Sequence, residues 1–111
     1  MNTTRAKKFV IENKLWIWPF DGATAWHFIT VAPDIASKIR KINESEVNGK
    51  KKMKRGFGSI KVKVKIGKTI FGTSIFPNKR DQTYLLPIKK EVRKKEAIQE
   101  GEKIKFVLTL L

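Results

Sequence analysis

Ser59-Ile60-Lys61-Val62-Lys63-Val64-Lys65-Ile66 alternates apolar side chains with lysines without interruption. Successive strand residues point to opposite faces, so this period predicts a strand that is greasy on one side and cationic on the other. Gly67-Lys68 follows as a tight turn, and Thr69 to Phe76 is again extended in character. With the first strand starting at Phe57, residues Phe57 to Ile66, the turn and Thr69 to Phe76 together predict a β-hairpin. The lysine row Lys61, Lys63 and Lys65 is thereby fixed to a folded element, with ~6.6 Å between successive charges.

The surrounding sequence amplifies that charge. Lys50 to Lys95 contains sixteen Lys or Arg against two acids, Asp81 and Glu91, a net +14. The remaining residues balance almost to neutrality, so nearly all of the chain's +15 sits in this stretch. Such a charge favours polyanions or anionic surfaces as partners. A lysine-rich proteome would give the same balance without any partner. Twenty lysines stand against five arginines, which favours attraction to a phosphate backbone over the bidentate base contacts that arginine makes.

Working outward, Lys7 to Trp18 reads as a strand with Phe9, Ile11, Leu15 and Ile17 on one parity and Glu12, Lys14, Trp16 and Trp18 on the other. Pro19-Phe20-Asp21-Gly22 is turn chemistry, and Trp26 to Val31 is a second strand. Asp34 to about Ser45 has a helical stripe of Ile35, Ile39 and Ile42, with Pro33 where a first turn accepts it. Asn48-Gly49 ends this unit and Lys50 to Arg55 is a basic loop. After the hairpin, Pro77 to Thr83 is a loop and Tyr84 to Leu86 a short extended piece. Pro87 to about Glu96 reads as a second helix, with Ile88 and Val92 inward. Lys103 to Leu111 closes the chain as a strand with Ile104, Phe106, Leu108 and Leu110 on one face.

The order is strand, strand, helix, strand, strand, helix, strand. A chain of 111 residues suits one core, so a single domain over residues 1–111 is expected. The fold class is mainly β with two helices, as a small closed or nearly closed barrel, since closure removes exposed edges. There is no cysteine, which excludes disulfides, thiolate catalysis and Cys-based zinc sites and fits a reducing cytoplasm. The first residues show no signal peptide, and no apolar run approaches the ~20 residues of a membrane helix. A cytoplasmic protein without a membrane partner is the expectation.

The run Arg55-Gly56-Phe57-Gly58-Ser59-Ile60-Lys61-Val62, then Gly67, Thr73-Ser74-Ile75-Phe76-Pro77, Tyr84-Leu85-Leu86-Pro87-Ile88-Lys89-Lys90-Glu91-Val92-Arg93-Lys94 and Glu100-Gly101-Glu102-Lys103-Ile104, resembles a small bacterial family. That family is catalogued as domain of unknown function 1905. The resemblance covers nearly the whole chain. It implies a double-split β-barrel, similar in architecture to barrels of bacterial antitoxin and transition-state regulators, some of which dimerise and bind DNA. It implies no catalytic residue and no cofactor. Some relatives add a domain of the bacteriocin-protection type, which these 111 residues do not include.

Chemistry-bearing constellations are sparse. His27, the sole histidine, lies between Trp26 and Phe28 and reads as a packed strand residue, with no nucleophile or orienting carboxylate beside it in sequence. One histidine without cysteine makes no ordinary zinc site. The acids are scattered, and nothing in the sequence points to a catalytic carboxylate pair. Arg55-Gly56-Phe57-Gly58 allows backbone to approach an anion, but it lacks the strand-to-helix context of a nucleotide loop, and a bend at the strand start explains it as well. In the second helix, Lys89 with Arg93 and Lys90 with Lys94 are like-charge pairs at i, i+4, each costing a few tenths of a kcal/mol. An anion over that face would relieve them, and so would salt. Trp16 and Trp18 share a face and offer either a stacking platform or a layer under a helix, with the Ile35, Ile39 and Ile42 stripe as the expected cover.

The leading expectation is a non-enzymatic barrel that binds an anionic partner, above all nucleic acid along its backbone. The residues are Lys50, Lys51, Lys52, Lys54, Arg55, Lys61, Lys63, Lys65, Lys89, Lys90, Arg93 and Lys94. A second places a small-anion or metabolite site at a barrel mouth, built from Arg55, Ser74, Tyr84, Lys89 and Arg93. A third is an interaction module for an acidic protein. Monomer and homodimer are equally compatible with the sequence.

Overall fold

The structure is a computed structural model that describes residues 7–18, 26–46 and 58–111. Among these residues, six strands close into a barrel and two helices cover its ends. The elements are β1 (Lys7–Trp18), β2 (Trp26–Val31), α1 (Pro33–Glu46), β3 (Ile60–Ile66), β4 (Thr69–Asn78), β5 (Thr83–Pro87), α2 (Lys90–Lys95) and β6 (Lys103–Leu110). The order around the barrel is β1-β2-β5-β4-β3-β6 and back to β1, every neighbouring pair antiparallel.

Two strands are shared between sheets. Lys7 to Lys14 of β1 pair with β6, and Leu15 to Trp18 pair with β2. Likewise Thr69 to Ile75 of β4 pair with β3, and Phe76 to Asn78 pair with β5. Each long strand thus changes partner partway, which is the double split expected of the family resemblance. Asn13 bridges the change in β1. Its Nδ2 donates to the Thr30 carbonyl at 2.9 Å, and its Oδ1 accepts from the Lys14 amide at 2.9 Å. Backbone groups that the diverging ladders leave over are satisfied in this way.

The alternation in β3 is realised residue by residue: Ile60, Val62, Val64 and Ile66 are buried, while Lys61, Lys63 and Lys65 are exposed. The opposing strands supply Ile11, Leu15, Ile29, Ile75, Leu86, Ile104, Phe106 and Leu108 to the same core. Each such side chain stabilises the fold by about 1.5–3 kcal/mol on burial.

β2 and β5 are antiparallel neighbours, so the ends from which α1 and α2 depart lie at opposite mouths. One residue, Ala32, separates Val31 from α1, so the helix begins at the mouth and lowers Ala36 and Ile39 into the core, with Ile35 packed alongside. At the other mouth, α2 and the segment after it bring Val92 and Ile98 into the same cluster.

Four boundaries differ from the sequence reading. The strand expected from Phe57 begins at Ile60, with Gly58 and Ser59 outside it. The extended piece expected at Tyr84 to Leu86 is a full barrel strand, Thr83–Pro87, inserted between β2 and β4. β4 runs two residues further than expected, through Pro77 and Asn78, and the turn to β5 is correspondingly short. Pro87 is the last residue of β5 and not the first turn of α2, which starts at Lys90. The Ile88 amide donates to the His27 carbonyl at 2.9 Å, so the facing pair Phe28–Pro87 is of the type that exchanges no hydrogen bond. The missing proline donor therefore costs this ladder nothing. The expected turn at residues 19–22, the basic loop at residues 50–55 and Gly56-Phe57 lie outside the described residues.

Candidate anion-binding face

The lysine row acquires neighbours that sequence alone does not reveal. β6 lies beside β3, and its outward positions include the exposed Lys103 and Lys105. β1 lies beside β6, with outward Lys8, Glu12 and Lys14. Lys61, Lys63 and Lys65 thus share one outer face with Lys8, Lys14, Lys103 and Lys105, and Glu12 is the acid on the strands of that face. Lys14 and Lys103 stand directly opposite each other. The Lys14 amide turns to Asn13 Oδ1, and the next amide, Leu15, donates to the Glu102 carbonyl. The Lys14–Lys103 pair is therefore the close, non-hydrogen-bonded kind, in which like charges are unfavourable.

The lysine row runs into the α2 end of the barrel. β3 ends in the Gly67-Lys68 turn, and Glu96, just after α2, reaches across to it. The Thr69 hydroxyl donates to Glu96 Oε2 at 2.5 Å, and the Lys68 amide approaches the same oxygen at 3.3 Å. Lys89, Lys90 and Lys94 are exposed at this end. Lys89 lies outside the helix, in extended conformation, as its N-cap. Arg93 folds back, with Nε donating to the Ile88 carbonyl at 3.1 Å. Burial lowers its pKa from the ordinary value, though a guanidinium remains charged. The expected Lys89–Arg93 pairing on one helical face is thus replaced by an N-cap and an inward-tied guanidinium. Lys50, Lys51, Lys52, Lys54 and Arg55 lie outside the described residues.

The residues grouped for a small-anion site are placed apart. Ser74 faces outward on β4, opposite Lys61. Tyr84 is buried near the start of β5, at the α1 end of the barrel, whereas Lys89 and Arg93 lie beyond the other end of that strand. Arg55 is outside the described residues. His27 is half-buried opposite Ile17, on the inward parity of β2. Among the described residues, no group of three or more His, Cys, Asp or Glu side chains could hold a metal ion.

The adjoining flank of the barrel, across β1, has a different character. Trp16 faces Phe28 and Trp18 faces Trp26 across the β1–β2 ladder, all on the outer surface. Trp26 stacks on Phe28 at 5.9 Å and 7°, and Trp16 and Trp18 lean on the same ring at 5.3 and 6.5 Å. Phe28 is only 7% exposed as a result, whereas Trp18 and Trp26 are 49% and 47% exposed. The Trp16 indole N–H donates to the Thr30 hydroxyl at 2.8 Å. The expected cover by the Ile35, Ile39 and Ile42 stripe does not form over the tryptophans. α1 starts at the far mouth, and Ile39 is spent on the core.

Lys8, Lys14, Lys68, Lys103 and Lys105 escaped the sequence reading. The alternation Lys103-Ile104-Lys105-Phe106 signalled outward lysines, but only the strand order shows which row they extend. The helices are not membrane spans: among the described residues none is long and apolar enough to cross a bilayer. No curated protein and no solved structure shows significant similarity to the chain. A family model does match, over residues 13–108, with the description "Domain of unknown function (DUF1905)", and the chain belongs to that family.

Proposed function

We propose that this barrel is a non-enzymatic binding module for a polyanion, most simply nucleic acid held along its phosphate backbone. The observation that supports this is the shared outer face of β3, β6 and β1. Seven exposed lysines stand there against Glu12, and one pair, Lys14 and Lys103, faces like to like. Folding stability alone gains nothing from such a pair. A phosphate chain would neutralise it and release counterions in doing so. The predominantly apolar interior agrees with a protein that works from its surface.

The experiment is a salt titration of binding to DNA and RNA. With about six phosphate contacts, affinity falls about a thousandfold between 50 and 200 mM salt. Replacing Lys61, Lys63 and Lys65 by Gln removes about three of those contacts and flattens the log–log slope by roughly 2.7. A flat salt response, or no retention of any nucleic acid at low salt, overturns the reading.

A further inference from the structure

Four aromatic rings on an outer barrel face require an account of their own. Phe28 is the buried centre. Trp26 lies parallel to it, and Trp18, opposite Trp26 in the ladder, is equally open to solvent. Exposed apolar surface gathered into one patch, unlike single scattered residues, is often an interaction site.

Cations stand around its rim. Lys14 precedes Trp16 and Trp18 on the same outward parity of β1, ~6.6 Å from the first of them, and Lys103 faces Lys14. On the other side, Phe28 pairs with Pro87 and the His27 carbonyl receives the Ile88 amide, so continuing the register sets Lys89 level with Trp26. Aromatic rings flanked by cations match a chain of alternating bases and phosphates. A duplex hides its base faces, whereas a single strand offers them for stacking. A second copy of this chain fits less well, because symmetric contact would bring two lysine rims together.

We propose that Trp18 and Trp26 form a stacking platform for bases of single-stranded nucleic acid, with Lys14, Lys103 and Lys89 drawing in the flanking phosphates. This rests on the polyanion reading above and specifies which polyanion. Phe28 and Trp16 position the two exposed rings and do not themselves meet the ligand.

The test compares a short oligothymidylate with a duplex of equal length, added to the full chain at low salt. Tryptophan fluorescence and filter retention are the readouts. The single strand is expected to quench the fluorescence and to bind more tightly than the duplex. Replacing Trp18 and Trp26 together by Ala weakens single-strand binding roughly tenfold to a hundredfold, while the salt slope stays the same. Trp26→Phe, which keeps a ring and guards against a folding defect, retains most of the affinity. Equal single-strand affinity of the native and doubly substituted chains overturns the platform while duplex retention leaves the polyanion reading intact. Loss of a dimer on the same substitutions, seen by light scattering, also overturns it and gives the face to a second copy. Failure to retain either nucleic acid sinks both readings.

Discussion

The Glu96 carboxylate lies over Gly67, where any β-carbon would collide with it, and from there it binds the Thr69 hydroxyl. This contact joins the end of α2 to the β3–β4 turn, two parts of the chain nearly thirty residues apart. Gly67 has φ +59°, a conformation that side-chain-bearing residues rarely adopt. Two separate constraints therefore converge on one residue.

Replacing Gly67 by Ala is expected to cost about 1–2 kcal/mol, from the backbone conformation and from displacement of Glu96. Glu96→Ala alone loses the turn contact, about 1 kcal/mol, with a fall in Tm of roughly 4–8 °C. The two effects share a partner, so they should not add. In the Glu96→Ala background, Gly67→Ala should cost less than in the native chain. Thermal unfolding of the four proteins in the cycle measures this, and strict additivity would show that the carboxylate exerts no pressure on the turn.

The core carries a larger penalty. Leu108 is fully buried on β6, between β1 and β3, and it faces both Phe9 and Val64 in the ladders. Leu108→Ala should cost about 2–5 kcal/mol, according to how far the barrel wall can relax into the space. Denaturant unfolding should show a lower midpoint with an unchanged m-value. A loss below 1 kcal/mol would mean that the barrel is far less tightly packed than described.

Lys14 offers a trade between stability and binding. Lys14→Glu turns its close pair with Lys103 from like to opposite charge, which should stabilise the fold by about 0.2–1 kcal/mol. The same change puts a carboxylate at the junction of the lysine face and the tryptophans, so nucleic-acid affinity should fall at least several-fold. Melting temperature and affinity should thus move in opposite directions. If both fall, Lys14 serves the fold. If affinity holds, Lys14 lies outside the binding path.

Most of the architecture was legible because β-strand periodicity is local. The limits of β1 and the two-sidedness of β3 and β6 follow from parity, and those of β2 from an aromatic and β-branched run after turn chemistry. What escaped depended on contacts distant in sequence. Tyr84 to Leu86 is too short to announce a barrel strand, and it becomes one only because β2 and β4 flank it. Pro87 carries the ordinary helix-start signal, yet the register with Phe28 makes it a strand residue. The Ile39 stripe was visible, but not the single-residue link that aims it into the barrel mouth. The site was legible as a set of cations and not as a surface, since nothing in Lys103 or Lys14 reveals that they meet.

The partner change within β1 and β4 has a dynamic consequence. Neither sheet can peel away from the other, because each contains a part of both long strands. Native-state hydrogen exchange should therefore find the amides of Ile11 and Ile75 opening together with those of Ile29 and Val64, at the free energy of global unfolding. Whatever settles on the tryptophan flank holds the same backbone that carries the lysines, and should slow exchange on both sides of the barrel at once.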